Sequence, residues 1–133
     1  MLVVDASVLA DALLDDGSVG DRARRSLASD DQWAAPHHIF VEIMSVVRGR
    51  LLGRKITLDR ADEAVAALEE IAIDKIDPAH LVGRMWELRG DITAYDAAYV
   101  ASAELLNCPL LTGDRRLTRA RGIRCEIRVI HEM

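Results

Sequence analysis

Short apolar runs that suit buried strands alternate with longer segments of helical periodicity along the whole chain, and this alternation restricts the fold more than any other feature. Leu2-Val3-Val4 opens the series and runs through Asp5 into a helical pattern from about Ser7, the start of a βα unit. Ser18 with Asp21 reads as a capping box for a helix to about Ser29. Gln32 to Ala35 reads as a second strand, ended by Pro36. From His37 to Leu52 the residues Ile39, Phe40, Ile43, Val46 and Val47 mark one helical face, and Gly53 supplies a stop signal. Thr57 caps a further helix carried by Leu58, Val65, Leu68 and Ile71, and Ala72 to Ile76 is strand-like. Asp77-Pro78 offers an N-cap followed by proline at the first helical position, for a helix ending near Gly90. Thr93 opens a helix to about Leu106, Pro109 to Thr112 forms a strand, Arg115 to Ala120 a short helical piece, and Glu126 to Ile130 the last strand.

Strands and helices that alternate in this way require right-handed crossovers. The expected class is therefore α/β, a three-layer α/β/α sandwich with a mostly parallel central sheet, which binds ligands outside the carboxyl ends of its strands. Asp5 and Asp114 both fall at that edge. A chain of 133 residues fits one domain spanning 1–133, and no linker, repeat or low-complexity tract divides it. The opening MLVVDAS reaches a charge too early for a signal peptide, and every apolar run is shorter than a membrane span, so a soluble, cytoplasmic protein is expected. Cys108 and Cys125 lack CxxC spacing and read as reduced thiols. A net charge of −5 argues against holding nucleic acid by general attraction, so any such role needs local basic patches or bound cations.

Among 22 acidic residues, most are solvated charges, caps or ion-pair partners, and four depart from that pattern. Asp5 sits where an apolar strand leaves the core, a place that also suits an N-cap. Glu42 lies at the edge of an apolar helical stripe, where an arginine partner would be the ordinary answer. Asp96 is the only charge in a segment, AYDAAYVASAELL, that is apolar almost all round before Glu104, although Thr93-x-x-Asp96 also fits a capping box. Asp114 ends the run PLLTGD, which alone would be turn chemistry.

If the helices carrying Glu42 and Asp96 pack on the sheet edge that holds Asp5 and Asp114, the carboxylates converge with no basic residue expected among them. Their repulsion then calls for a cation, and hard oxygen ligands favour Mg²⁺ or Mn²⁺ over zinc. The chemistry that follows is phosphodiester hydrolysis by a metal-bound water. Of 17 basic residues only Lys55 and Lys75 are lysine, which leaves 15 arginines. Arg48, Arg50 and Arg54 beyond Glu42, and Arg115, Arg116, Arg119 and Arg121 after Asp114, are candidates to guide phosphates, with a solvated face the default for most of them. His37, His38, His80 and His131 have no metal-box spacing and read as structural or solvent-exposed.

Three segments, VVDASVLADALL, AYDAAYVASAELL and LLTGDRRLTRA, resemble in order the motifs of PIN-domain nucleases, with VapC toxins the best match. The resemblance implies a PIN-like fold and a Mg²⁺- or Mn²⁺-dependent endoribonuclease that cuts tRNA, rRNA or mRNA, halting translation until a VapB-like antitoxin binds it. It also implies a homodimer. Carried over by motif, Asp5, Glu42, Asp96 and Asp114 are the metal-binding and catalytic carboxylates, and Ser7 and Thr112 match polar positions beside them. Arg116 stands where many relatives have a further acid, which leaves open whether one metal or two is held without substrate. Asp91, in a loop ahead of Thr93, is not counted as a ligand.

A receiver-type phosphotransfer protein would need a paired acid beside Asp5 and a late lysine, and a dehalogenase-like phosphatase an Asp where Ser7 stands. The rival from another class is a non-catalytic binding module of the same fold, with the acids serving as caps and ion pairs. The apolar surface of a hairpin over His37 to Ile71 is the best candidate for the contact with a second copy or an antitoxin, with core packing the default. Trp33, Phe40 and Trp86 are expected in the core or an interface.

Overall fold

A computed structural model describes residues 1–130. Five strands, β1 (Leu2–Val4), β2 (Trp33–Pro36), β3 (Asp74–Ile76), β4 (Leu110–Thr112) and β5 (Ile127–Val129), form one sheet in the order β3-β2-β1-β4-β5, and every pairing is parallel. The central strands β1 and β4 are apolar and fully buried, as strands covered on both faces must be. Parallel pairing demands long connections, and six helices supply them: α1 (Ala6–Leu14), α2 (Ser18–Leu27), α3 (Ile39–Leu52), α4 (Leu58–Glu69), α5 (Val82–Glu87) and α6 (Ala94–Leu106).

The chain winds outward from β1 to β3 and then returns to β4 on the other side of β1. With right-handed crossovers, that reversal puts the helices before β3 on one face and those after it on the other. The packing agrees: α1 touches α2, α3 and α4, whereas α6 lies against β1, β2 and β4 with α5 beside it. Ala97, Ala98, Ala101 and Ala103 let α6 sit close to the sheet, and Ser102 satisfies its hydroxyl on the Ala98 carbonyl at 2.7 Å. Val100 beside them is fully buried, which contributes roughly 1.5–3 kcal/mol relative to exposure. The order of elements and the α/β class match the sequence-based expectation.

Two local expectations are corrected, and a third, the Gly53 stop, holds with a different geometry. Ser18 is not a cap: it is the first residue of α2, whose N-cap is Gly17 without a side-chain bond, and Asp15 reaches in to accept the Gly20 N–H at 2.6 Å. The helix expected from Pro78 to Gly90 is divided, because Asp77 caps a 3-10 turn over Pro78–Leu81 before α5 begins. Gly53 ends α3 at φ −77, so its conformational freedom is unused there, and the left-handed residue is Arg54 at φ 58.

Gly20 is required by close approach, since a Cβ there would collide with the backbone carbonyl of Asp15. Gly20→Ala should destabilise the protein by about 1–3 kcal/mol, read as a lower urea midpoint. An unchanged midpoint would mean that α2 moves away from Asp15 at no cost.

Candidate metal centre at the carboxyl edge of the sheet

The winding of the sheet delivers helix starts to one edge. α1 and α3 leave it just after β1 and β2, and α6 runs antiparallel to the strands before β4, so its N-terminus lies there too. A 3-10 turn over Arg115–Arg119 begins just beyond β4. Each of the four expected carboxylates occupies one of these starts: Asp5 caps α1, Glu42 and Asp96 stand in the first turns of α3 and α6, and Asp114 caps the 3-10 turn. Capping and clustering hold together. Asp5 accepts the Ser7 N–H at 3.4 Å, Asp114 accepts the Arg116 N–H at 2.9 Å, and Thr93 accepts the Asp96 N–H at 3.2 Å.

Asp5 is buried, and its Oδ2 accepts the hydroxyl proton of fully buried Thr112 at 2.6 Å. The same Thr112 oxygen accepts the Asp114 N–H at 3.1 Å, so one hydroxyl joins the ends of β1 and β4. Ser7 is exposed beside Gly113. Ser7 and Thr112 therefore both stand next to the carboxylates.

Glu42 does not take an arginine partner. Its Oε1 accepts the Tyr99 hydroxyl at 2.8 Å, and His38 Nε2 lies 3.1 Å from the same oxygen at an angle that makes no hydrogen bond. His38, expected to be structural or exposed, is half-buried with its ring edge-on to Tyr95 and Tyr99, at centroid distances of 5.6 and 5.3 Å. Neither His38 nor Tyr99 was assigned to the site from sequence, and the one-turn spacings of His38 from Glu42 and of Tyr99 from Asp96 are the signals that could have found them. His37 is exposed on the loop before α3, and His131 lies outside the described residues.

A carboxylate cluster free of basic residues is also corrected. Arg116 folds back on Asp114, Nη2 to Oδ2 at 2.8 Å, because the tight turn that Asp114 caps carries the guanidinium to the carboxylate two residues earlier. Between Asp96 and Asp114 lies a cleft of about 130 Å³, bounded by the Asp91–Thr93 segment and Arg116. Asp91 at its rim accepts the Arg121 N–H on Oδ2 at 2.6 Å. Arg50 is committed to Asp11 at 3.3 Å.

Protonation preferences divide the acids. Burial pushes the Glu42 carboxyl above the usual carboxylate range, the Tyr99 bond opposes this, and the charges of Asp5 and Asp96 add to it. Burial likewise raises Asp96, with Asp5 and Asp114 as further causes. The guanidinium beside Asp114 holds that carboxyl below its ordinary value. Burial pulls the His38 imidazole down, so it stays neutral beside Glu42 rather than neutralising it. Glu42 and Asp96 thus sense each other's surroundings through Asp5, with no lysine or arginine ion-paired to any of these three among the described residues.

This donor chemistry fits a hard divalent cation: oxygen ligands, mutual repulsion and no basic counter-charge on three of the four acids. Among the described residues no group of three or more His, Cys, Asp or Glu side chains stands ready to enclose an ion. The fit is that of an open site, in which waters complete the shell of an ion held by few side chains.

A model of the PIN domain matches residues 2–123. The chain is 38% identical over 132 residues to Ribonuclease VapC9 of Mycobacterium tuberculosis, covering 98% of each. It is also 38% identical over 130 residues to Ribonuclease VapC1 of the same organism, covering 96% of each. In fold it resembles Mycobacterium tuberculosis VapC20, described as a Sarcin-Ricin loop cleaving toxin, with TM-score 0.69 and 20% identity over 93% of this chain and 97% of that one. A toxin-antitoxin complex from Klebsiella pneumoniae gives TM-score 0.68 and 20% identity over 100% of both chains.

The raised carboxyls set a sign. A group that resists ionisation when folded subtracts stability once the pH exceeds its unfolded value, so in the metal-free protein the contribution of Asp96 and Glu42 should grow more favourable as the pH falls from neutral through their titrations. Asp96→Asn should raise the thermal midpoint in EDTA at pH 7 by about 2 °C. A lower midpoint would mean that the carboxylate is held by a stabilising contact. The depressed Asp114 carboxyl acts oppositely, and in Arg116→Gln its NMR titration midpoint should move up toward the ordinary value.

Proposed function

The chain belongs to the PIN-domain family and, within it, to the VapC ribonucleases, and from that premise we propose that it is a divalent-cation-dependent endoribonuclease toxin held in check by a VapB-like antitoxin. The observation that carries the catalytic reading is the meeting of Asp5, Glu42 and Asp96 at the sheet edge without an arginine or lysine partner among the described residues. Bound Mg²⁺ or Mn²⁺ supplies there a water of lowered pKa and positive charge at the leaving oxygen.

The chain's own residues prepare that chemistry. Asp5 is oriented by Thr112 and by the Ser7 N–H, and Asp96 is fixed at the start of α6 by the Thr93 cap. Asp114 completes the acidic set and keeps Arg116 beside it. With its side chain 86% exposed, that guanidinium can meet a phosphate, in competition with the Asp114 carboxylate it already grips through Nε and Nη2. An acidic protein thereby acts on RNA through a local cation site rather than a broad basic face.

We assign the contact with an antitoxin or a second copy to the α3–α4 hairpin, where Val41, Met44, Leu52 and Leu58 are exposed. Phe40 and Trp33 are half-buried against the core, while Trp86 is 66% exposed with Arg89 stacked on its ring at 4.4 Å. No helix among the described residues is long and apolar enough to cross a membrane.

Purified protein, free of antitoxin, should cut total cellular RNA into discrete fragments in Mg²⁺ or Mn²⁺ and not in EDTA. Asp5→Asn and Asp96→Asn should each lower the rate by roughly 100-fold or more while leaving the circular dichroism spectrum intact. Cleavage that survives both substitutions would overturn the site assignment. Absence of cleavage by the folded wild-type protein in every metal would favour the binding module.

A further inference from the structure

The two oxygens of Glu42 are not equivalent. Oε1 accepts the Tyr99 hydroxyl at 2.8 Å and has His38 Nε2 against it at 3.1 Å, whereas Oε2 makes no hydrogen bond among the described residues. Tyr99 is 1% exposed and lies on the buried part of α6, one turn after Asp96, so its hydroxyl is fixed by the same helix that presents Asp96. His38 is clamped edge-on between Tyr95 and Tyr99, and so fills the space on one side of the Glu42 carboxylate.

A glutamate has three rotatable side-chain bonds, and the charges of Asp5 and Asp96 repel this one. Left to itself, it would swing toward solvent. A donor on Oε1 counters that tendency, since a hydrogen bond to a carboxylate favours its charged, fixed form. We infer that Tyr99 is a positioning residue which, with His38 packed behind, holds Glu42 by Oε1 so that Oε2 remains available to the divalent cation. Partners that orient metal-binding carboxylates in this way commonly change metal affinity by one to two orders of magnitude when removed. The inference rests on Glu42 being a cation ligand, as proposed above.

The test measures Mn²⁺ affinity by electron paramagnetic resonance on RNA-free protein, together with single-turnover RNA cleavage, for wild type, Tyr99→Phe, Glu42→Gln and the double variant. Phenylalanine keeps the buried ring and removes only the donor. Tyr99→Phe is expected to weaken Mn²⁺ binding about tenfold, to slow cleavage at subsaturating metal, and to leave the KM for RNA at saturating metal unchanged. On the Glu42→Gln background it should cause no further loss, because its effect passes through that carboxylate. Wild-type affinity in Tyr99→Phe beside weakened binding in Glu42→Gln would overturn the inference alone, including where the thermal midpoint falls, since that would mark a purely structural hydroxyl. Losses that add in the double variant would also overturn it. Wild-type affinity in Glu42→Gln would instead remove the ligand assignment beneath it.

Discussion

The parallel pairing of β1 with β4, closed by the hydrogen bond from Thr112 to Asp5, is the constraint on which the rest of the site depends. It joins residues 107 positions apart, so it exists only once both sets of crossover helices have packed. Val3 pairs with Leu110 and Val4 with Leu111, and this register brings the Thr112 hydroxyl onto a buried carboxylate. A slip of one residue would turn Thr112 to the opposite face and leave Asp5 buried without its donor, a loss the core could not absorb cheaply. The same hydroxyl accepts from the Asp114 backbone, so Asp5 and Asp114 are set relative to each other by one oxygen at the point where the strand order reverses.

Crowding acids at that point conflicts with stability, and the fold relieves the conflict in three ways. Every one of the four carboxylates sits at a helical start, where unsatisfied backbone N–H groups and the positive dipole end favour negative charge. Hydrogen bonds from Thr112 and Tyr99 stabilise Asp5 and Glu42, and Arg116 neutralises Asp114. What remains is the upward shift of Glu42 and Asp96, caused first by burial and then by the neighbouring charges, which a divalent cation would offset. Binding and folding are coupled through that leftover term.

The fold was legible because its signals are local: apolar runs for strands, Thr57, Asp77 and Thr93 as caps, and an almost wholly apolar α6. Asp5 and Asp114 could be assigned to the sheet edge for the same reason, since Asp5 directly follows β1 and Asp114 follows β4 after one glycine. Glu42 and Asp96 required the packing of helices on that edge, which periodicity does not contain. The Ser18 cap failed because Asp15, three residues upstream, reaches the same helix start from outside any local capping pattern. His38 and Tyr99 were missed because a histidine and a tyrosine among apolar residues look like core; His38 meets Glu42 one turn on along α3, but the Tyr99 contact joins α6 to α3, which no local pattern contains. Arg116 was read as a candidate to guide phosphates and as standing in place of a further acid, but not as the partner of Asp114, although a guanidinium two residues after a capping aspartate can fold back on it.

That last residue bears on how a chain of net charge −5 meets a polyanion. Arg116 is well exposed, yet its guanidinium is already bidentate on Asp114, through Nε at 3.0 Å to Oδ1 and Nη2 at 2.8 Å to Oδ2. A phosphate arriving at this edge competes for the guanidinium with Asp114, and a cation arriving there competes for Asp114 with the guanidinium. Each exchange makes the other easier: a cation on Asp114 frees Arg116 for phosphate, and a phosphate on Arg116 leaves Asp114 open to a cation. If Asp114 holds a cation and Arg116 meets substrate, as proposed, the ion pair between residues 114 and 116 would link metal and substrate occupancy, and by reciprocity whichever bound first would raise the affinity for the second by the same factor.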